Sequence, residues 1–418
     1  MAASAARRIA AAPAAAHPPF PDELLEEIFL RLNDAADLTR ASAACASFRR
    51  VVSARAFLRR FRSLHAPSVL GFFDVHGFHP VAPPHRYAPA ARALARHADL
   101  AFSFLPEPRR WGFLDARDGL VLHSRRITGT NGFAELVVCD PLYRRFVLLP
   151  PIPEDLAASV SQRYWSRLTS FLAPPRCEDV DGDDIEDMRS PLFSVISTTV
   201  ESENKVVAFV FCSGNGKWQG TRYTSSCSLP LPHRLFSCDY QRSYAHGCFH
   251  WIVDSGYSYS LVLDTREVKF TTIDLPLPSK NRSRLRAVVE AGEGMLGLLT
   301  FDDTTIRLSR RTWRNNGVGE EEWQPYKTAP FPRSSNGKTY EWFSAGAADE
   351  VYLLMIARES RGPCSRCNSH YHTLDLKTLL LERRIVVLSS HLYARFPPLL
   401  TSPGISVYEN GTKTFRPP

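Results

Sequence analysis

The sequence lacks several features that would assign it at once to the membrane, to the secreted proteins or to a familiar enzyme class. No apolar run among its 418 residues reaches the length of a membrane-spanning helix. Its nine cysteines are odd in number and irregularly spaced, which does not fit a disulfide framework. The motifs G-x-S-x-G, H-E-x-x-H and G-x-x-x-x-G-K-S/T are also absent. Because no secretory signal is visible, the expected location is the reducing cytoplasm or nucleus.

The bulk composition is that of a globular protein with a mild excess of positive charge. Apolar residues make up 44% and charged residues 22% of the chain, and the formal net charge is +8. Arginines between Arg49 and Arg62 and in the stretch KNRSRLR make nucleic-acid binding one alternative, although solvated helix and loop faces explain them more simply. The Ala-rich residues 1–19 are expected to form a disordered leader, with an organelle transit peptide as the alternative.

Helical periodicity runs from Phe20 to about His65 and predicts three short helices. The first carries a wide apolar stripe formed by Leu24, Leu25, Ile28, Phe29 and Leu32. Asn33 and Asp34 are the predicted break after it. The second helix carries a narrower stripe formed by Leu38, Ala41, Cys45 and Phe48. Ser53 is the expected N-cap of the third, whose apolar side holds Phe57, Leu58 and Phe61.

The first helix has more apolar surface than its two small, alanine-rich neighbours can cover. Pro21 suits its first turn, where the missing N–H has no partner within the helix. Three short helices fall below the size that usually holds a core alone. Two explanations follow: the helix packs on the next domain of the chain, or its stripe fits a groove of another protein.

Residues 20–52, FPDELLEEIFLRLNDAADLTRASAACASFRRVV, resemble an F-box. The likeness rests on the Pro-Asp-Glu opening, the Leu-x-x-x-Ile-x-x-x-Leu spacing, a polar break and the pattern Leu-x-x-x-Ser-x-x-Cys-x-x-Phe-Arg-Arg. Two positions depart from it, since Asn33 stands where many relatives have Pro and Phe48 where many have Trp. The resemblance implies docking on the Skp-type adaptor of an SCF ubiquitin ligase. It assigns the adaptor-facing role to Pro21, Leu24, Leu25, Ile28 and Leu32, and the helix-holding role to Leu38, Cys45 and Phe48.

After Leu70 the helical stripes give way to short β-rich runs broken by Gly, Pro, Asn and Asp. Several runs repeat one order: a Gly-containing turn, a strand, another turn, a second strand and a Leu-Pro exit. Asp140, Asp264 and Asp375 each precede a basic or polar turn in these repeats. Such repetition predicts an all-β domain over residues 66–410, a β-propeller of six to eight blades, with residues 411–418 as a tail. A pair of β-sandwiches is the alternative.

The stretches VLGFF, AFSFLP, WGFLDARDGLVLHS and LVVCDPLYRRFVLLPPIP are similar to the F-box-associated β-propeller common in plant F-box proteins. By that resemblance the propeller binds a protein substrate, and the chain is a non-catalytic substrate receptor of the ligase, with the F-box at residues 20–65. The alternatives are an enzyme built on a propeller scaffold and a basic nucleic-acid-binding protein. The substrate-binding residues and the substrate itself are not identified by the resemblance.

Four short motifs carry ligand types but fit structural roles better. The segment GEGMLG at residues 292–297 has β-rich sequence on both sides, so it predicts a hairpin turn and not a dinucleotide loop. In CSRCNSHYH the spacing of cysteines and histidines is not that of a zinc finger. On a strand, His246, Cys248 and His250 would lie on one polar, exposed face. The acidic run at residues 178–187 fails the EF-hand order. No catalytic residue, metal or cofactor is therefore expected.

Overall fold

The structure is a computed structural model that describes residues 20–32, 35–65, 68–74, 77–83, 85, 87–125, 134–158, 160–161, 164, 168–174, 193–202, 204–225, 231–232, 235–236, 242–254, 258–277, 286–292, 294–302, 305–313, 322–330, 340–347, 352–359, 369–376, 378–386, 391–395, 407–409 and 412–414. The chain divides into two compact units. The first is Met1–Pro67 with Phe396–Thr401, and the second is Ser68–Arg395 with Ser402–Pro418. Within the described ranges, every helix is too short or too polar to cross a membrane.

The described part of the first unit contains four helices, where the sequence predicted three. They are α1 (Asp22–Leu30), α2 (Ala35–Ala44), α3 (Ala46–Ser53) and α4 (Arg55–Leu64). The predicted second helix is broken at Cys45, whose backbone is extended (φ −155°, ψ 164°) and whose Sγ accepts a hydrogen bond from the Phe48 N–H. Ser53 was the wrong N-cap, because the extended residue before α4 is Ala54. The predicted break at Asn33 and Asp34 lies outside the described residues.

The described residues of the second unit form five four-stranded antiparallel sheets, each made of four consecutive strands, which we call blades 1 to 5. Blade 1 holds β3 (Gly112–Arg117), β4 (Leu120–Arg125), β5 (Glu135–Asp140) and β6 (Arg145–Leu148). Blade 2 holds β7 (Thr169–Ala173), β8 (Ser194–Ser202), β9 (Lys205–Cys212) and β10 (Lys217–Thr224). Blade 3 holds β11 (Arg242–Ala245), β12 (Cys248–Asp254), β13 (Ser258–Asp264) and β14 (Lys269–Asp274).

Blade 4 holds β15 (Arg286–Glu290), β16 (Met295–Phe301), β17 (Thr305–Thr312) and β18 (Gln324–Pro330). Blade 5 holds β19 (Tyr340–Ala347), β20 (Tyr352–Glu359), β21 (Ser369–Asp375) and β22 (Leu381–Val386). The predicted propeller is confirmed, but the described residues form five four-stranded blades and not six to eight. The predicted number of blades was too high because it divided the length of the β-rich segment by the length of one blade. Long connections between strands take up part of that length.

A three-stranded sheet, which we call the closing sheet, joins the two ends of the β-rich unit. It contains β1 (Ser68–Asp74), β2 (Gly77–Pro80) and β23 (His391–Arg395). Strand β23 follows blade 5 in the chain, yet it pairs antiparallel with β1, with Val69 opposite Ala394 and Phe73 opposite His391. The remaining described elements are α5 (Ala88–His97), a 3-10 turn at Pro108–Arg110, α6 (Glu154–Ala157), β24 (Val407–Glu409) and β25 (Thr412–Thr414). Strand β25 lies in the segment that was predicted to be a tail.

The core lies between consecutive sheets. Separate apolar clusters join the closing sheet to blade 1, blade 1 to blade 2, blade 2 to blade 3, blade 3 to blade 4, and blade 4 to blade 5. Blades 1 to 4 have an apolar cluster on both faces, so apolar residues follow one another in several of their middle strands. In β9, for example, every residue after Lys205 is buried. This two-sided burial explains why a simple in–out alternation is weak in the sequence.

One recurrent turn joins the third and fourth strands of three blades, and it begins at Asp140, Asp264 and Asp375. Each aspartate side chain accepts hydrogen bonds from backbone N–H groups two or three residues later. Four residues after each aspartate the backbone takes a positive φ, at Arg144 (52°), Val268 (52°) and Leu379 (58°). The aspartates that the sequence repeats marked therefore fix a side-chain-stabilised turn with one left-handed residue.

A buried ion pair fastens the closing sheet to blade 1. The guanidinium of Arg395 donates to both carboxylate oxygens of Asp140, at 2.8 and 3.0 Å, and the two side chains are 4% and 5% exposed. Arg395 and the Tyr393 hydroxyl also donate to the carbonyl of Gly119. A Cβ at Gly119 would lie 2.6 Å from the Arg395 side chain, so a glycine is needed at this turn.

We expect Arg395→Ala to lower the free energy of unfolding by about 3–5 kcal/mol, because it leaves the Asp140 carboxylate buried without its partner. Urea unfolding followed by tryptophan fluorescence measures the change. Arg222→Ala, at an exposed position of the outer strand β10, is the matched control and should stay within about 0.5 kcal/mol of the wild type. A loss at Arg395 no larger than the control's would show that the ion pair does not hold the closing sheet.

A second prediction concerns His123, which is buried in β4 and has no hydrogen-bond partner for either ring nitrogen in the described residues. Its ring packs edge-on against Phe102 at 4.3 Å. Burial lowers the pKa of His123 to about 4, so the folded protein takes up this proton at lower pH than the unfolded chain does. Stability is therefore retained above pH 6.5 and lost as the pH falls through 4, by about 3 kcal/mol for this residue.

His123→Leu should remove that part of the loss between pH 7 and pH 4, because the variant has no ring to protonate. Urea unfolding of both proteins at several pH values measures it. His97→Leu, which removes an exposed histidine of α5, should leave the pH dependence of the wild type unchanged. Parallel curves for wild type and His123→Leu would contradict the prediction.

Candidate partner-binding face and central polar cluster

One side of α1 is apolar and open to solvent. Phe20, Leu24 and Ile28 are 51%, 52% and 49% exposed, and they follow one another at a spacing of four residues. On α1 that spacing places Leu24 and Ile28 in one row, and Phe20, which precedes the helix by two residues, is exposed at its N-terminal end. Pro21 is exposed beside Phe20. Large apolar side chains that stay half exposed in a row are typical of a surface that another molecule covers.

The opposite side of α1 forms the core of the four helices. Leu25, Phe29 and Leu30 are buried together with residues of the other three helices, namely Leu38, Val51, Val52, Phe57, Leu58 and Phe61. The ring of Phe29 meets Phe48 edge-on at 5.2 Å and Phe57 at 6.4 Å. The apolar surface of α1 is thus divided in two, one half packed inside its own unit and one half left outside.

The structure changes the predicted roles of three residues and adds one. Leu25 was grouped with the adaptor-facing residues, but its side chain is 2% exposed, because it points toward the other helices and not along the open row. Leu32 is half-buried against the same core. Cys45 was placed in the core, but it is exposed and caps α3. The exposed Phe20 was not among the predicted adaptor-facing residues, although its spacing to Leu24 and Ile28 can be seen in the sequence.

The other two residues predicted to hold the helices together, Leu38 and Phe48, pack among the four helices. Leu38 is fully buried, and Phe48 is half-buried against the same helices. Two ion pairs then connect the polar edge of α1 to the later helices. Arg50 donates to both oxygens of Asp22 at 2.5 and 2.9 Å, and Arg60 lies 2.7 Å from Glu27. Because all four side chains are well exposed, apolar packing stabilises this arrangement more than the ion pairs do.

A second notable site lies where the first strands of the blades converge. Strand β3 contacts both β7 and β23, and β11 contacts β15 and β19, so these strands line the axis of the propeller. The carboxylate of Asp115 in β3 accepts hydrogen bonds from His391 Nδ1 at 3.1 Å, from the Leu172 N–H at 2.9 Å and from Arg242 at 2.8 Å. Three blades and the closing sheet therefore meet at one carboxylate. We call Asp115 together with His391, Leu172 and Arg242 the central polar cluster.

The charge of Asp115 is well compensated. Burial by itself raises the pKa of this carboxyl, but the charge of Arg242 and the hydrogen bond from His391 outweigh burial and lower the pKa to about 2. The guanidinium of Arg242 also lies 4.0 Å from the centre of the Phe171 ring. The Asp115 carboxylate stays ionised throughout the physiological pH range, and the first role of the cluster is to hold the inner strands together.

The short motifs with metal-ligand residues divide between structural roles and undescribed positions. Gly292 and Gly294 have positive φ in the turn between β15 and β16, so GEGMLG is a hairpin turn as predicted. His250 and Cys248 were expected to be exposed, but both are buried between blades, and His250 Nδ1 lies 3.3 Å from Ser260 Oγ. Cys364, Cys367 and the acidic run at 178–187 lie outside the described residues. No group of three potential metal ligands occurs within the described ranges.

Comparison with known proteins identifies the helical unit. Residues 20–64 match the family model described as F-box-like. The match covers all four helices, and a β-propeller follows it in the chain. F-box domains generally bind Skp-type adaptors, and an F-box followed by a propeller is typical of non-catalytic substrate receptors. No curated protein matches the chain.

Solved structures similar to the chain are distant from it in sequence, and they include a propeller. A six-bladed fungal lectin from Aleuria aurantia has 11% identity and a TM-score of 0.31 over 66% of this chain and 77% of the lectin. A GH43 protein from Bacillus licheniformis has 7% identity and a TM-score of 0.28 over 68% and 59%. The fission yeast SREBP–SCAP binding domains have 10% identity and a TM-score of 0.30 over 72% and 81%. Likeness of this degree carries no argument about function.

The division of α1 into a buried and an open side predicts opposite outcomes for neighbouring leucines. Leu25→Ala should cost about 2–5 kcal/mol of unfolding free energy, because it opens a cavity among the four helices. Leu24→Ala removes a half-exposed side chain of the same type and should change stability by less than about 0.5 kcal/mol. Urea unfolding followed by the helical circular dichroism signal measures both. Equal losses in the two variants would contradict the division.

Proposed function

We propose that the chain is a substrate-recognition subunit of an SCF-type ubiquitin ligase. Its F-box-like helices bind the Skp-type adaptor, and its propeller binds a protein substrate. The observation that carries the proposal is the open apolar face of α1, because it lies within the segment that matches the F-box-like model. In this proposal the chain is located in the cytoplasm or the nucleus, together with the adaptor and the cullin.

The size of the open face suits a partner groove. Phe20, Leu24 and Ile28 each have about half of their surface left to bury. Full burial of such a side chain contributes about 1.5–3 kcal/mol, whereas association costs about 4–15 kcal/mol. Three half-buried side chains therefore cannot hold the adaptor alone. Pro21 and the half-buried Leu32 at the two ends of the row supply the additional contact that the proposal requires.

The mechanism in this proposal is tethering. The chain holds a substrate near the ubiquitin-carrying enzyme of the complex, which raises the local concentration of the reacting groups without any covalent step on the chain itself. The buried side chains of the second unit fit this division of labour. His123, Cys139 and His250 are enclosed between blades, out of reach of a substrate.

We expect Ile28→Asp to abolish binding to the Skp-type adaptor, because a carboxylate in the middle of the open face would be buried without a partner on association. Co-purification of the full chain with the adaptor measures the binding. Leu277→Asp is the matched control, since it makes the same change from apolar to acidic at a side chain that is 67% exposed in the propeller unit. The control should bind the adaptor as the wild type does.

Two results would overturn the proposal. One is adaptor binding by Ile28→Asp at the level of the Leu277→Asp control. The other is an absence of adaptor binding by the wild type together with salt-dependent retention on DNA or RNA, which would favour the nucleic-acid alternative. Circular dichroism of both variants must match the wild type, because a lost fold would imitate a lost interface.

A further inference from the structure

Beside the central polar cluster lies one arginine, Arg117, which is the last residue of β3 and has a side chain that is 25% exposed. Its Nε–H is buried and donates to no acceptor within the described residues. The nearest carboxylate is that of Asp118, 3.6 Å from Nε and largely exposed on the turn. That separation is too long for a hydrogen bond, and exposure weakens the attraction.

The position of Arg117 is nonetheless well fixed. Its guanidinium carbon lies 4.5 Å from the centre of the Tyr244 ring, on the inner strand of blade 3. An arginine stacked on an aromatic ring keeps its N–H donors in the plane of the guanidinium, where they can bind an oxyanion at two points. The side chain is thus oriented before any partner binds to it.

The carboxylate of Asp115 cannot satisfy Arg117, because its acceptor positions are already used. Oδ1 accepts from His391 Nδ1 and from the Ala116 N–H, and Oδ2 accepts from Arg242 and from the Leu172 N–H. Those are four donors for the four lone-pair directions of one carboxylate. Burial lowers the pKa of Arg242, Asp115 raises it, and the nearby charge of Arg117 lowers it again. Arg117 and Arg242 are therefore two neighbouring cations, of which Arg242 is paired with Asp115.

Three other arginines of the propeller differ from Arg117, because each of them binds a carboxylate. Arg395 binds Asp140, Arg286 binds Asp254, and Arg242 binds Asp115, each through a carboxylate within 3.0 Å. Each of these ion pairs compensates the charge of its arginine and joins two sheets. Within the described ranges Arg117 forms no hydrogen bond to another sheet, so its donors remain for a molecule that comes from outside the chain.

We propose that Arg117 and Arg242 form a binding site for an oxyanion, a carboxylate or phosphate group, at the axis of the propeller. Arg117 supplies two planar N–H donors, and Arg242 supplies a second positive charge that Asp115 holds in place. His391, whose side chain is 38% exposed, borders the site from the closing sheet. The two sources of such a group are a free anion and an acidic residue of a bound peptide.

Isothermal titration of the full chain at low ionic strength tests the site, with inorganic phosphate and hexaglutamate as probes and hexaglutamine as the uncharged peptide. Arg117→Gln should weaken binding of the charged probe by about tenfold, because it removes a charge-assisted hydrogen-bonding group. Arg222→Gln, on the exposed side of β10, is the matched control and should bind as the wild type does.

The two probes separate the sources of the anion. Tighter binding of hexaglutamate than of phosphate, dependent on Arg117, assigns the site to an acidic peptide, and the reverse order assigns it to a free anion. Either result supports the site. Equal weakening by Arg117→Gln and Arg222→Gln, or binding of neither probe by the wild type, overturns it.

Two further measurements guard against a merely structural role for Arg117. Thermal unfolding of Arg117→Gln should match that of Arg222→Gln, because the arginine forms no hydrogen bond that folding depends on. In the wild type, phosphate or hexaglutamate should slow modification of Arg117 by phenylglyoxal, measured by peptide mass spectrometry. This second readout needs no variant, and an unchanged modification rate overturns the proposal even if Arg117→Gln does not fold.

Discussion

The pairing of β23 with β1 is the constraint on which the rest of the β-rich unit depends. A blade of a propeller is apolar on both faces and is stable only between two neighbours, so the first and last sheets need a means of coming together. Here a strand from the C-terminal side of blade 5 completes the sheet begun by β1 and β2. The contacts that follow, from Arg395 to Asp140 and from Tyr393 to Gly119, fasten that sheet to blade 1. Closure in this protein is therefore both a backbone pairing and a buried ion pair.

Polar and apolar interactions have separate places in this architecture. Apolar clusters fill the spaces between blades, where matched strands cover one another. At the axis Asp115 with its partners joins four sheets. A buried carboxylate is costly unless every acceptor is used, and that requirement fixes the positions of His391 and Arg242. The same saturation leaves Arg117 without a hydrogen bond to Asp115, so that its orientation comes from the Tyr244 ring.

The helical unit divides its apolar surface in a way that links packing to function. One side of α1 completes a small core with α2, α3 and α4, and the other side stays open. A unit of this size has little apolar surface to spare, so a row of half-exposed large side chains is a cost to the isolated chain. A partner that covers the row accounts for that cost. The match of residues 20–64 to the F-box-like model agrees with this account.

The sequence by itself determined the element types, the helical module at residues 20–65 and the propeller, because helical spacing and repeated strand–turn patterns are local. It also marked Asp140, Asp264 and Asp375, since a side chain that closes a turn acts within four residues. It could not show that Leu25 is buried whereas Leu24 is exposed, or that Cys45 ends a helix. Both depend on which side of each helix the other helices cover. The number of blades, the return of β23 to β1 and the meeting of Asp115 with His391 across 276 positions were decided only by the tertiary structure. Contacts between residues so distant in sequence arise from closure of the whole propeller, and no local pattern encodes them.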